Sequence, residues 1–238
     1  MLIFRHAGYQ YSGKIASSAF EAVRGYCYQR IFVIGPSHYS NLGSSIGLSY
    51  FGELECPLGV LNVDTQLNRM LLNAHSNLFH SLSPERELEE HSLEMQFPFI
   101  YHVFGNCIRV VPMLMSSVNA EAIAALKVHF EGALVVVSSD FCHWGRRFGF
   151  RPMFSSSLDA GILQLNMQAI EIIKRGKAEE FEEYLHESGN TICGKVPLLF
   201  ALRAMKLRGK LVNYGCSGKV HSAEDSSVSY AAIVMNKE

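Results

Sequence analysis

The chain has 238 residues, of which 48% are hydrophobic and 18% are charged, and its formal net charge at pH 7 is −1. This composition is typical of a globular chain, and the near-neutral charge gives no electrostatic indication of nucleic acid binding, so we expect no nucleic acid partner. The length suits one sizeable α/β domain, so we expect residues 1–238 to form a single domain.

The sequence gives no signal for a membrane or for secretion. No apolar run is long enough to cross a bilayer, and the opening MLIFRHAG lacks the basic and apolar regions of a signal peptide. Six cysteines are scattered without a CxxC pair, which favours reduced thiols over a disulfide framework. We therefore expect a soluble, cytoplasmic protein.

The first two predicted strands each lead to a histidine. Residues 2–4 form a short apolar strand that precedes His6, and residues 31–34 form a stronger strand whose Gly-Pro turn leads to His38. For either histidine alone, a structural role in bonding the backbone is the simpler interpretation.

Helical periodicity predicts five helices between and after the strands. Apolar residues recur at helical spacing, and a capping residue such as Asp64 or a glycine marks several of the ends. Because helices alternate with apolar strands up to a last strand at residues 228–235, the pattern indicates an α/β fold with a mainly parallel sheet. The predicted helices cover residues 64–74, 119–130, 158–174, 178–185 and 196–207.

Another buried strand, at residues 134–137, ends in the polar run SSDFCHWG. That run places Asp140, Cys142 and His143 directly after the strand. Ligands of open α/β sheets bind beyond the carboxyl ends of the strands, so this position is typical of a site. A loop whose Asp and His cap backbone amides is the alternative for this run alone.

Three strand ends and one helix start point to a common crevice. If the strands are parallel neighbours, His6, His38 and His143 face the same space, which favours a functional site over separate structural histidines. Cys193, in SGNTICGKVP, lies just before a predicted helix. The helix dipole there favours a thiolate, the form that binds metals or attacks carbon, whereas a buried inert thiol is the alternative.

Two weaker patterns accompany these residues. His91 and Glu94 are spaced i,i+3, so both would lie on one face of a helix, where Glu94 would support the site indirectly; capping and bracing a helix N-terminus is the alternative for this pair. Arg146, Arg147 and Arg151 would offer a cationic rim to an anionic ligand, although a solvated loop explains them equally well.

The motifs HAGYQYSG, FVIGPSH, EEHSLEMQFPFI, VVSSDFCHWGRRF, GNTICGK and DSSVSYAA resemble, in this order, those of the Memo family. The resemblance extends over essentially the whole chain. It implies the fold of the class III extradiol, non-heme iron dioxygenases, which is a three-layer α/β/α arrangement with a mainly parallel central sheet and a site at one sheet edge.

The resemblance also implies roles for five residues. His6, His38 and Cys193 match the metal-site residues of the family motifs. Asp140 and His143 match the DFCHW pair, whose histidine corresponds to an acid/base residue in the dioxygenases, so we assign catalysis to these two.

The sequence departs from the family pattern in two places. Arg5 stands where the motif has proline, and the preceding segment with a further HAG motif is absent. We therefore expect a Memo-like domain that is shortened at its N-terminus, with a short first strand and one wall of the site missing or replaced.

These residues predict a Memo-like metal-binding redox protein, with copper favoured over iron, and the resemblance to the family implies a link to cell motility signalling. A thiolate in place of the dioxygenase carboxylate shifts the preference toward a soft metal. Three alternatives remain open: a dioxygenase-like enzyme on a small aromatic substrate, a cysteine hydrolase using Cys193, His143 and Asp140, and a module that binds phosphotyrosine-bearing peptides or receptor tails in the same cleft.

Overall fold

A computed structural model of the chain describes residues 1–4, 6 and 8–237, apart from the side chain of Ser12. Arg5, the departure from the family motif, lies outside the described residues. The strands are β1 (Leu2–Phe4), β2 (Arg30–Pro36), β3 (Ile46–Leu48), β4 (Glu53–Cys56), β5 (Gly59–Val63), β6 (Phe79–Ser81), β7 (Arg109–Met115), β8 (Leu134–Ser138), β9 (His143–Trp144), β10 (Leu207–Cys216) and β11 (Ser227–Lys237). The α-helices are α1 (Tyr9–Glu21), α2 (Thr65–Ala74), α3 (Pro84–Glu89), α4 (Phe97–Phe104), α5 (Ala120–Lys127), α6 (Leu158–Lys174), α7 (Ala178–Ser188) and α8 (Lys195–Ala204).

A large mixed sheet forms the centre of the fold. Its main order is β10-β11-β1-β8-β2-β7-β3-β6. The four central strands β1, β8, β2 and β7 run parallel, as the alternation of strands and helices predicts. Their carboxyl ends therefore meet at one edge of the sheet.

The outer parts of the sheet differ from the prediction of a mainly parallel sheet. Strand β11 pairs antiparallel with β1, β10 and the short β9, and β3 pairs antiparallel with β7. The reason is local, because β10 and β11 are long consecutive strands joined without a helix, which allows antiparallel pairing. The sheet is therefore parallel at its centre and mixed toward its sides, where β3 pairs parallel with the edge strand β6.

Apolar side chains cover both faces of the central strands. In β2, Phe32 and Ile34 pack with residues of α2, α5, α6, α7 and α8, whereas Ile31 and Val33 pack with residues of α1 and α4. Alternate residues of a strand point to opposite faces, so an unbroken apolar run such as β2 requires a core on each side.

The predicted helices are confirmed in position, with differences at their ends. Asp64 caps α2 by accepting the Leu67 N–H at 3.1 Å, as expected. The helix predicted for residues 196–207 ends instead at Ala204, because Met205 has extended backbone angles and Leu207 begins β10. Among the described residues, no helix combines the length and apolar character needed to cross a bilayer.

The buried amide of Asn166, on α6, fixes the polar loop that follows β8. Its Oδ1 accepts the Cys142 N–H at 3.1 Å, and its Nδ2 donates to Ile162 O at 2.9 Å and to the Tyr214 hydroxyl at 3.1 Å. This bond holds the loop that carries Asp140 and His143 against α6.

We expect Asn166→Leu to lower the free energy of unfolding by about 1–3 kcal/mol, because the substitution leaves the buried Cys142 N–H without its acceptor. Chemical denaturation measures the change. Gln164→Leu, at an exposed position of the same helix, is the control and should change the value by less than about 0.5 kcal/mol. Equal effects of the two substitutions would contradict this role of Asn166.

Candidate metal centre

Three neighbouring parallel strands position the candidate residues. His6 follows the end of β1 by two residues, His38 follows β2 by two, and Asp140 follows β8 by two. Because β8 lies between β1 and β2 in the sheet, these positions adjoin one another beyond the carboxyl ends of the strands, where open α/β sheets bind their ligands.

His6, His38 and Cys193 come together at this edge. One ring nitrogen of each histidine and the cysteine sulfur all lie within 4.8 Å of one another. The two imidazole centroids are 5.1 Å apart, and Cys193 Sγ lies 3.3 Å from His6 Nε2. The structure thus brings together the three residues that the sequence predicts as ligands.

Hydrogen bonds fix the protonated nitrogen of the buried His6 ring. Ser138 Oγ donates its hydrogen to Ser92 O at 2.5 Å and accepts from Gln96 Nε2 at 2.9 Å, so it must accept the bond from His6 Nδ1 at 2.9 Å. His6 Nε2 is left with a free lone pair that faces Cys193. Burial lowers the pKa of His6 to about 4, against a smaller opposing effect of Asp140, so the ring is neutral at pH 7.

Glu90 holds the second imidazole. Its carboxylate accepts the His38 backbone N–H at 2.6 Å through Oε2 and the ring Nδ1 at 2.8 Å through Oε1, and only 3% of its side chain is exposed. Burial raises the pKa of Glu90, but hydrogen bonds from His38 and Ser92 outweigh burial and lower it to about 2. The ionised carboxylate keeps the proton of His38 on Nδ1 and leaves Nε2 free.

Cys193 differs from the prediction in its protonation. Burial, and then the Asp140 carboxylate, raise the pKa of the Cys193 thiol. Hydrogen bonds from the Asp140 N–H, at 3.2 Å, and from the Gly194 N–H oppose the rise but are outweighed. The expectation that the start of α8 favours a free thiolate is therefore wrong, because desolvation exceeds the effect of the helix terminus.

Asp140 and His143 lie beside the cluster. Asp140 is buried and its Oδ1 accepts the backbone N–H of His6 at 3.2 Å. His143 Nδ1 lies 3.1 Å from Thr191 O, a group that only accepts, so its proton is on Nδ1. His143 Nε2 faces Asp140 Oδ2 at 4.0 Å, and 21% of the side chain is exposed.

His91 is a member of this cluster that the sequence identified only in part. Its ring stacks on that of His38, with centroids 5.0 Å apart, and lies edge-on to His6 at 5.5 Å. The predicted partner Glu94 is exposed and begins a 3₁₀ helix that excludes His91, so the two do not share a helical face. The acidic residue that bonds these imidazoles is instead Glu90. No local pattern predicts it, because its partner His38 is 52 residues away in the sequence.

One oxygen of Glu90 also lies within reach of both His38 and His91. That oxygen, Oε1, already accepts the His38 Nδ1 proton at 2.8 Å and lies 3.9 Å from His91 Nδ1. A cation between Glu90 and His38 would have to displace this proton. Glu90 therefore acts here as the group that orients His38 rather than as a ligand.

The three arginines are exposed and lie outside the cluster. Arg151 donates to Ala223 O at 3.3 Å, and the Arg147 guanidinium lies 4.5 Å above the Phe148 ring. The Phe148 ring in turn contacts that of His143, with centroids 5.1 Å apart. Arg147 of the cationic rim thus contacts the candidate site indirectly, through Phe148.

Gly194 packs closely against Ser138 and Ser139 at the end of β8, so we expect this position to tolerate no side chain. A Cβ at this position would lie 2.7 Å from Ser138 O and would overlap the side chain of Ser139. We expect Gly194→Ala to lower the free energy of unfolding by about 1–3 kcal/mol through overpacking. Chemical denaturation measures this, with Gly218→Ala, which meets no atom within 4 Å, as the control. An unchanged value for Gly194→Ala would contradict the close packing of the Cys193 loop on β8.

Comparison with known proteins supports this arrangement of motifs. The family model described as "Memo-like protein" matches residues 1–234. A MEMO1 family protein of Schizosaccharomyces pombe is 34% identical over 97% of this chain and 85% of its own length, and a memo-1 homologue of Caenorhabditis elegans is 35% identical over 98% and 71%. Protein MEMO1 of Homo sapiens is 31% identical over 97% and 83%.

A solved structure shares the fold at low sequence identity. The crystal structure of the uncharacterized protein JW3007 from Escherichia coli K12 superposes with a TM-score of 0.59, covers 97% of this chain and 98% of that chain, and is 15% identical. The family match over residues 1–234 and the relatives above 30% identity show that this chain belongs to the Memo family.

Proposed function

We propose that this protein binds a redox-active metal ion, copper in preference to iron, through His6, His38 and Cys193. One observation carries the proposal: three potential donor atoms lie within 4.8 Å of one another. Both imidazoles are bonded through Nδ1 to accepting groups. This leaves their Nε2 lone pairs free, which is how metal-binding histidines are oriented in proteins.

The donor set favours copper over iron. A thiolate and two imidazoles provide three donors, which suit Cu(I), whereas Fe(II) sites of the dioxygenase type use two histidines and a carboxylate. Zinc accepts the same donors but usually takes a fourth ligand in structural sites. The half-buried thiol of Cys193 would release its proton to solvent when the ion binds, since a cation beside the sulfur stabilises the thiolate.

The neighbouring residues orient the ligands and handle protons. The bound ion would supply one-electron redox chemistry. Asp140 accepts the His6 N–H and so fixes the loop that carries this ligand. Because Thr191 O holds the proton of His143 on Nδ1, Nε2 is the nitrogen that takes up or releases a proton beside the site.

The geometry opposes the hydrolase alternative. In a cysteine triad, the acid is hydrogen-bonded to one ring nitrogen of the basic histidine and the nucleophile is hydrogen-bonded to the other. Here Asp140 faces His143 Nε2, Thr191 O occupies Nδ1, and Cys193 Sγ contacts His6 instead. No nitrogen of His143 is left for Cys193 while Asp140 orients the ring.

The dioxygenase-like alternative shares the fold that we propose for this chain. We infer a single domain with a three-layer α/β/α arrangement like that of the extradiol dioxygenases, which is supported by apolar cores on both faces of the sheet. In such an enzyme His143 would be the general acid/base for a small aromatic substrate. Phosphotyrosine-peptide binding and the link to cell motility stay predictions from the family resemblance.

Replacing the thiolate should weaken Cu(I) binding. We expect Cys193→Asp to lose at least tenfold in Cu(I) affinity, about 1.4 kcal/mol, and to shift toward Fe(II), because a carboxylate is a harder donor. Competition with a Cu(I) chelator measures the Cu(I) affinity of the wild type and of the variant. Cys107→Ser, which removes an exposed thiol, should retain the wild-type affinity. Equal affinity of wild type and Cys193→Asp would show that Cys193 is not a ligand.

Replacing His143 should separate metal binding from proton transfer. We expect His143→Ala to keep its metal stoichiometry and to lose less than about tenfold in affinity, about 1.4 kcal/mol, while the rate of metal oxidation falls because no imidazole takes up or releases a proton beside the site. His38→Ala is the control and should lose the metal. Metal loss in His143→Ala would make His143 a ligand and overturn its assignment.

A further inference from the structure

A cavity of about 370 Å³ is lined in part by Glu90, the residue that also bonds His38. Its walls come from β4, from α3 and from the segment that leads into α4. The volume falls within the usual range for pockets that bind small molecules, roughly 300–1,000 Å³.

The floor of this cavity is apolar. Leu54, Leu93, Phe97 and Leu114 line it and are also buried members of the core beneath. Leu88 lines the same cavity with 74% of its surface exposed. An apolar body of a ligand would cover this side chain and gain from leaving water.

The walls above the floor carry only negative charge. Glu53, Glu55 and Glu94 line the cavity and are exposed, and in the part of the chain that the structure describes none of the three forms an ion pair. Among the described residues that line the cavity there is no lysine or arginine. Burying an anion here would add like charges, whereas a cation would find unpaired acceptors.

The remaining carboxylates of the cavity are bonded within the protein. Glu87 accepts from Ser49 Oγ at 2.5 Å and from the Tyr50 N–H at 2.7 Å, and Glu90 accepts from His38. These bonds hold the side chains of Glu87 and Glu90 in place. The exposed glutamates are therefore the groups that are available to a ligand.

We propose that this cavity binds a small organic cation, an ammonium group carried on an aromatic or aliphatic body. The hydrocarbon part would contact Leu88 and the apolar floor, and the ammonium group would donate to the exposed glutamates. A hydrogen bond between a cation and a carboxylate is about twice as strong as a neutral one. The proposal is independent of metal binding, although Glu90 places the occupant one side chain away from His38.

Isothermal titration of the metal-free, full-length protein with 2-phenylethylammonium tests the proposal. We expect saturable binding of one equivalent, at least tenfold tighter than that of 3-phenylpropionate, which has a similar body and the opposite charge. Methylammonium, which lacks the body, should also bind at least tenfold more weakly. The absence of metal separates failure of this proposal from failure of the metal site.

Charge-removing variants locate the binding. The double substitution Glu53→Gln and Glu55→Gln should weaken 2-phenylethylammonium binding at least fivefold, and both positions are exposed, so the fold should be retained. Glu183→Gln with Glu187→Gln, which removes two exposed charges of α7 outside the cavity, should leave the affinity within twofold of wild type.

A substitution in the wall tests the apolar contact. Leu88→Ala should weaken 2-phenylethylammonium several-fold and leave methylammonium unchanged. Three results would each overturn the proposal: no saturation with 2-phenylethylammonium, equal affinity for 3-phenylpropionate, or wild-type affinity in the variant that lacks both Glu53 and Glu55.

Discussion

The hydrogen bond between His38 and the buried carboxylate of Glu90 is the interaction on which the site depends. A buried charge is costly unless it is paired or hydrogen-bonded, and here the Glu90 carboxylate accepts hydrogen bonds from the His38 ring, the His38 N–H and the Ser92 N–H. This pairing fixes the tautomer of His38, while the Ser138 hydroxyl does the same for His6. Hydrogen bonds within the protein thus leave both Nε2 atoms unprotonated, so the imidazoles are preorganised.

The parallel centre of the sheet supplies the frame for this preorganisation. Strands β1, β8 and β2 are neighbours, so His6, Asp140 and His38 reach the same edge although they are far apart in sequence. The loop before α8 then adds Cys193 by packing Gly194 against the end of β8, where the Gly194 N–H donates to Ser139 Oγ at 3.1 Å. Strand order, a tight glycine contact and two buried hydrogen bonds together define one compact donor set.

The sequence predicted the parts of this site that follow from local patterns. Histidines after apolar strands, and a cysteine before a helix, have spacing signals, and the structure brings His6, His38 and Cys193 together. Glu90 could not be predicted, because a buried acid is recognisable only from its distant partner. The raised pKa of Cys193 likewise depends on burial that no local pattern reveals. The antiparallel pairing of β11 with β1 and of β3 with β7 was missed because these partners lie far apart in sequence, so no local pattern reveals their direction.

X-ray absorption spectroscopy at the copper edge of the Cu(I)-loaded protein tests the central claim most directly. Since His6, His38 and Cys193 offer two imidazole nitrogens and one sulfur within 4.8 Å of one another, the spectrum should show one sulfur and two nitrogen neighbours around each copper. Loss of the sulfur contribution in Cys193→Asp would assign it to this residue. A wild-type spectrum without a sulfur neighbour would contradict the proposed centre. So would a spectrum in which copper has sulfur neighbours only, as it would if exposed thiols bound it.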